Sequence, residues 1–181
     1  MLYDLRRADV RIKWLVSGLL ATLGLSYVFG AAMVALYAGF TPQSVAATYA
    51  GPEMSMPMPP DTTVVVRRPM SMADFASSEV HTVDTKLLIQ DTHVHLPMYG
   101  LIAAALGIVV AGLSLPRRWA LGLIALLFAA PGLDFAGMWL TKLASPRFAI
   151  VTIAGGWAMG VGYLIVAALA VHQMWLSSER G

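Results

Sequence analysis

Residues 91–119 read DTHVHLPMYGLIAAALGIVVAGLSLPRRW, and the sense of this stretch decides the fold. From Leu96 to Leu115 the chain carries no charge, and it stops at Pro116-Arg117-Arg118. About 20 apolar residues, rising ~1.5 Å each in a helix, cross the hydrocarbon core of a bilayer. The run is therefore a membrane span, entered through His93 and His95 and closed by a basic turn. Residues 14–40, 119–140 and 148–176 are three more such runs, and Asp134 is the only Asp, Glu, Lys or Arg inside them. The connections at 116–118 and 141–147 are short and force antiparallel neighbours. The expectation is an all-α membrane protein with four transmembrane helices, 14–40, 92–115, 119–140 and 148–176, in an up-down bundle. Residues 1–13 and 177–181 form its ends, and one long Met- and Pro-rich loop, 41–91, follows helix 1.

Composition agrees. The chain is 58% hydrophobic and 12% charged, about half the charge of a soluble domain, and its mean hydropathy is +0.71. A secretory leader has an apolar core of about 7–15 residues. The first run is roughly twice that, so it reads as a retained helix. With no cysteine, disulfides, thiolate metal sites, iron–sulfur clusters and covalent haem attachment are excluded. A net charge of +2, spread over loop ends, gives no phosphate-neutralising patch, so no nucleic acid is expected. Nucleophile-elbow, P-loop, zincin and dinucleotide signatures are missing, which favours a non-catalytic role.

Lys and Arg in short loops set orientation. Arg6, Arg7, Arg11, Lys13, Arg117, Arg118 and Arg180 fall on one side, against Lys142 and Arg147 in the opposite short loop. Both termini are expected to be cytoplasmic and the 41–91 loop outside. Within that loop the prolines break long helices. The TTVVV run at 62–66 suits one short strand, and 71–89 reads as helical with Ser71 or Asp74 as cap.

The residues with chemistry gather at the outer side. His93 and His95 share a face only if the backbone is extended; on a helix they diverge by about 200°. Pro97 suits the first turn of a helix. One arrangement leaves both rings outside the helix, with His81 or Asp91 completing a metal site. The other starts the helix at Asp91 or Thr92 and separates them. Asp134 lies within a span, where a carboxylate is costly and points to function. It is expected to face the bundle beside His95 or Tyr99, as an orienting carboxylate or part of a proton or quinone site. Met54, Met56 and Met58 alternate in MSMPMPP; soft thioethers on one face of an extended strand suit Cu(I). His172, near the other end of the bundle, has no partner of matching depth for a haem. Gly156 and Gly160 form a GxxxG pair that allows close helix contact, inside the bundle or against another subunit.

These stretches in order, THVHLPMYGLIAAALG, PRRW, PGLDFAGMWL and AGGWAMG, resemble a poorly characterised family of bacterial four-helix inner-membrane proteins. In that family a T-H-x-H-L motif opens the second span, and an Asp precedes a W-L ending of the third. The matching positions are Thr92, His93, His95 and Leu96, then Asp134, Trp139 and Leu140, and the likeness covers roughly residues 71 to 176. Members tend to occur beside respiratory cytochromes. The resemblance implies an accessory membrane subunit of a respiratory or other electron-transfer complex, in contact with lipid and with other membrane subunits or cytochromes. In that reading His93, His95, Tyr99 and Asp134 contact a b-type haem, a metal or a quinone. The alternatives are an outer copper site on Met54, Met56, Met58, His81, His93 and His95, resting on residue chemistry alone, and a purely structural assembly subunit.

Overall fold

The computed structural model describes residues 4–50 and 82–177. Among them every regular element is helical: a 3-10 turn at Leu5–Arg7, α1 (Val10–Tyr37), α2 (Pro42–Ala50), α3 (Thr85–Ala111), α4 (Arg117–Leu143), a 3-10 turn at Pro146–Phe148, and α5 (Ala149–Val171), which closes in one π-helical turn, His172–Leu176. Four helical stretches, Val10–Tyr37, Thr85–Ala111, Arg117–Leu143 and Pro146–Leu176, are long and apolar enough to span a membrane. The four-helix, all-α expectation stands, with the 41–91 region after the first span.

The helix bounds differ from the hydropathy runs, because capping rather than charge ends a helix. The Asp9 carboxylate accepts the Arg11 N–H at 2.8 Å and starts α1 at Val10 rather than residue 14. Asp84 accepts the Leu87 N–H at 2.7 Å and starts α3 at Thr85 rather than residue 92. At 27 residues, α3 is about 40 Å long, so its first turns project past a ~30 Å hydrocarbon core. The loop also holds more order than its prolines suggest. Gly39 adopts φ +69° and ends α1 by donating its N–H to the Val34 carbonyl at 2.7 Å, a left-handed stop that glycine makes without strain. Thr41 and Ser44 then cap each other reciprocally at 3.1 and 3.2 Å, with Pro42 as the first residue of α2. The expected strand at 62–66 and the caps Ser71 and Asp74 lie outside the described residues.

Successive spans run antiparallel. The terminal end of the bundle collects residues 4–9, 112–116 and 172–177; the loop end collects 38–50, 82–84 and 144–148. The apolar core fills the terminal half, where Leu106, Val110, Leu113 and Val166 are sealed beneath a fully buried Leu5. Polar groups there are paired: Leu5 N–H to the Gly112 carbonyl at 2.9 Å, Ser114 N–H to Gln173 Oε1 at 2.9 Å, and Trp175 Nε1 to Ser17 Oγ at 3.1 Å. The Tyr163 hydroxyl donates to the Leu20 carbonyl and its ring stacks on Tyr27 at 4.8 Å. These contacts hold α1 along its first half. Beyond Tyr27 it is exposed on every side as far as Tyr37.

Candidate functional site beneath the loop end

Because α3 begins at Thr85, both histidines lie inside a helix. Their spacing turns them about 200° apart, and both are exposed. One ion held by the two rings of a single chain does not suit that geometry. Among the described residues no group of three His, Asp or Glu side chains gathers closely enough to hold a metal. His81, Met54, Met56 and Met58 lie outside the described residues, and His172 is exposed at the terminal end.

His95 has its own local partner. Its Nδ1 lies 3.0 Å from the Asp91 carbonyl oxygen and 3.2 Å from the Asp91 carboxylate, one turn earlier. The ring then begins an aromatic file: His95 to Tyr99 at 6.2 Å between centroids, and Tyr99 to Phe135 of α4 at 6.0 Å. Pro97 falls inside α3 rather than in its first turn. A proline there has no N–H to donate and leaves the carbonyl four residues back, that of His93, without its helical partner.

Asp134 is 8% exposed and lies against α5 rather than toward lipid. The fit depends on Gly155, since a Cβ there would overlap the Asp134 backbone. One turn on, Gly137 gives the same close passage to Thr152. Thr141 donates to the Gly137 carbonyl at 2.7 Å, while the buried Thr152 Oγ1 has no hydrogen-bond partner among the described residues. A Cβ on Gly137 would meet that oxygen as well as the Thr152 backbone. Gly156 and Gly160, in contrast, meet nothing within 4 Å, so among the described residues the GxxxG pair packs on no other helix.

Two side chains share the Asp134 neighbourhood. Tyr99 of α3 is within reach of its charge and that of Asp91. Tyr49 of α2 is within reach of Asp134, Asp91 and Tyr99; burial first, then the Asp134 charge, push its hydroxyl up to about 12. Tyr49 escaped the sequence reading because it sits in a stretch with no apolar span. The reciprocal Thr41/Ser44 cap was the available sign that a helix carries it. His95 is not the partner of Asp134; its ring is tied to Asp91.

Thr92 and Trp139, drawn from two separate motifs, meet. Trp139 Nε1 donates to Thr92 Oγ1 at 3.0 Å, and Thr92 Oγ1 donates to the Leu88 carbonyl at 2.7 Å. Lys142 Nζ donates to the Val83 carbonyl at 2.8 Å, and Val83 N–H to the Thr48 carbonyl at 2.8 Å. Together these bonds clamp α2, α3 and α4 over Asp134. A cavity of about 10 Å³, the size of one water, lies below, between Tyr27, Tyr99, Leu127 and Pro131. An open cleft of about 410 Å³ between α2 and the α4–α5 corner is lined by Ala46, Thr141, Lys142 and Ser145. Among the described residues no acid or histidine lines it, and Lys142 is its one charged group.

The family model of a transmembrane helical domain, Aq_1264_TM, matches residues 39–181. The match takes in α2 to α5 and leaves α1 outside it. No curated protein and no solved structure matches the chain. With most of its length covered, the chain belongs to the Aq_1264_TM family of transmembrane helical domains.

Proposed function

We propose that the protein is an accessory, non-catalytic subunit of an electron-transfer complex in a bacterial cytoplasmic membrane, and that its loop end meets a quinone headgroup in the outer leaflet. The observation that carries this reading is Asp134, an acid buried within a span whose charge reaches two tyrosines, Tyr49 and Tyr99. An ionisable group at membrane depth is kept for function by default. The file His95–Tyr99–Phe135 offers a flat aromatic wall. With Nδ1 donating to the Asp91 carbonyl, the neutral tautomer of His95 presents Nε2 as an acceptor for the hydroxyl of a reduced quinone. Orientation supports the outer leaflet: Arg6, Arg7, Arg11, Lys13, Arg117 and Arg118 lie at the terminal end, against Lys86, Lys142 and Arg147 among the described residues of the other. The link to electron transfer comes from the family likeness carried by Thr92, His95, Asp134 and Trp139, whose members tend to occur beside respiratory cytochromes.

The test is quinol oxidation by the native assembly purified with and without this chain. His95→Gln or Asp134→Asn should lower turnover roughly tenfold while the subunits still co-purify. An assembly that lacks the chain yet keeps its haems, metals and full turnover would remove the quinone contact and leave a structural subunit.

A further inference from the structure

The terminal end carries a second surface that the quinone reading does not use. Leu5 is fully buried, its N–H bonds the Gly112 carbonyl at 2.9 Å, and the Ser114 hydroxyl donates to the Asp4 carboxylate at 3.4 Å. The segment before α1 is thereby folded under the bundle and fixed beside the α3–α4 turn. Arg6 and Arg7 of one segment come to the same end as Arg117 and Arg118 of another, with Arg11 at the start of α1; all five are exposed. The acids of this end among the described residues are Asp4 and Asp9, and each already accepts a backbone N–H, of Arg6 at 3.0 Å and Arg11 at 2.8 Å. Helix α4 starts at Arg117, after Pro116 and with no side-chain cap, so its first amides add to the positive field.

The depth of this patch is marked by tryptophan. Trp14 and Trp175 meet edge-on at 6.0 Å, and the Arg118 guanidinium lies 5.8 Å from the centroid of the Trp119 ring. All three indoles are exposed. Exposed indoles at the end of a span sit at headgroup level, which places the guanidiniums among lipid phosphates. Guanidinium forks match phosphate oxygens in shape as well as charge. We propose that the patch formed by Arg6, Arg117 and Arg118 binds the phosphate of anionic phospholipid, so that this end of the bundle selects acidic lipid from the surrounding leaflet.

The experiment uses the full chain in phosphatidylcholine bilayers doped with spin-labelled phosphatidylglycerol or spin-labelled phosphatidylcholine, and reads the immobilised fraction of each. The wild-type chain should prefer phosphatidylglycerol. The preference should fall by up to about fivefold for each guanidinium lost in Arg6→Gln, Arg117→Gln and Arg118→Gln, singly and combined, and should fade in about 1 M salt. Lys142→Gln with Arg147→Gln, at the opposite end, should leave it unchanged. If the triple variant fails to fold, the single variants decide. Absence of preference in the wild-type chain, equal loss from the opposite-end variants, or unchanged preference in every arginine variant would overturn the proposal. So would displacement of the labelled lipid by millimolar inorganic phosphate, which would indicate a soluble phosphate ligand instead.

Discussion

The two halves of this bundle are built from similarly apolar helices and packed by different means. In the terminal half, large side chains interdigitate: Leu106, Val110, Leu113 and Val166 are at most 2% exposed, and the backbone groups around Leu5, Gly112 and Ser114 are bonded. In the loop half, the buried residues of α4 and α5 are, apart from Phe135, small or polar: Ala130, Pro131, Asp134, Gly137, Thr141, Ala149, Thr152 and Gly155. Here α1 has left the bundle. Lipid tails are as apolar as leucine, so a membrane helix gains little from hiding apolar surface and much from close packing. The terminal half uses that gain for stability. The loop half approaches backbone to backbone and spends the space so freed on a carboxylate and an unpaired hydroxyl.

The sharpest way to break this contrast is at two adjacent glycines. Gly155→Leu would drive a side chain into the Asp134 backbone, which cannot yield as a flexible side chain would. We expect a loss of about 3 kcal/mol or more, read as the unfolding midpoint in detergent. Gly156→Leu, one residue on, meets open space and should change monomer stability by less than about 0.5 kcal/mol. Equal effects at the two positions would mean that α4 and α5 do not meet through Gly155.

The terminal half is probed by cavity creation. Leu106→Ala, at 1% exposure, should cost about 2 kcal/mol, since its neighbours refill the space only in part. Leu133→Ala, about half exposed, should cost under about 0.5 kcal/mol. A smaller effect belongs to the carboxylate. The Tyr49 hydroxyl is raised from 10 to about 12 by burial and then by Asp134. A phenol raised on folding contributes stability that is whole below pH 10 and is lost as pH climbs toward 12. Asp134→Asn removes the second cause and leaves the first, so Tyr49 should ionise at a lower pH but still above 10. Phenolate absorbance, with Tyr49→Phe to assign the signal, measures this.

The four spans were legible because uninterrupted apolar runs of that length have few other uses. Their ends were less so: hydropathy stops at the first charge, whereas a helix runs on to its cap, as Asp84 shows by starting α3 ahead of both histidines. That cap is what settles the geometry of His93 and His95, which the local spacing left open. The burial of Asp134 could be anticipated from its position in a span. Its neighbour Tyr49 could not, because the contact depends on a short helix inside a Pro-rich loop. Nor was the departure of α1 readable. Its apolar residues lie all round the helix, so the sequence marks no face that must pack.

The smallest expected effect tests whether the loop end is the softer one. Each end has an indole N–H that ties two spans: Trp139 to Thr92 at 3.0 Å, joining α4 to α3, and Trp175 to Ser17 at 3.1 Å, joining the end of α5 to α1. Replacing either Trp by Phe keeps an aromatic ring and removes the donor. Interhelical bonds in membranes are worth about 0.6 kcal/mol on average, so neither change should alter global unfolding by more than about 1 kcal/mol. Local opening should separate them. At the loop end α1 no longer covers the bundle, so Trp139→Phe should speed hydrogen exchange at the amides from Leu88 to Thr92 and loosen the cover over Asp134. At the terminal end Leu5, Val16 and Leu20 remain buried around the lost bond, so Trp175→Phe should leave exchange in α1 almost unchanged. Faster exchange at the terminal end would reverse the assignment of stability to that half, and with it the reason for placing the polar chemistry at the other.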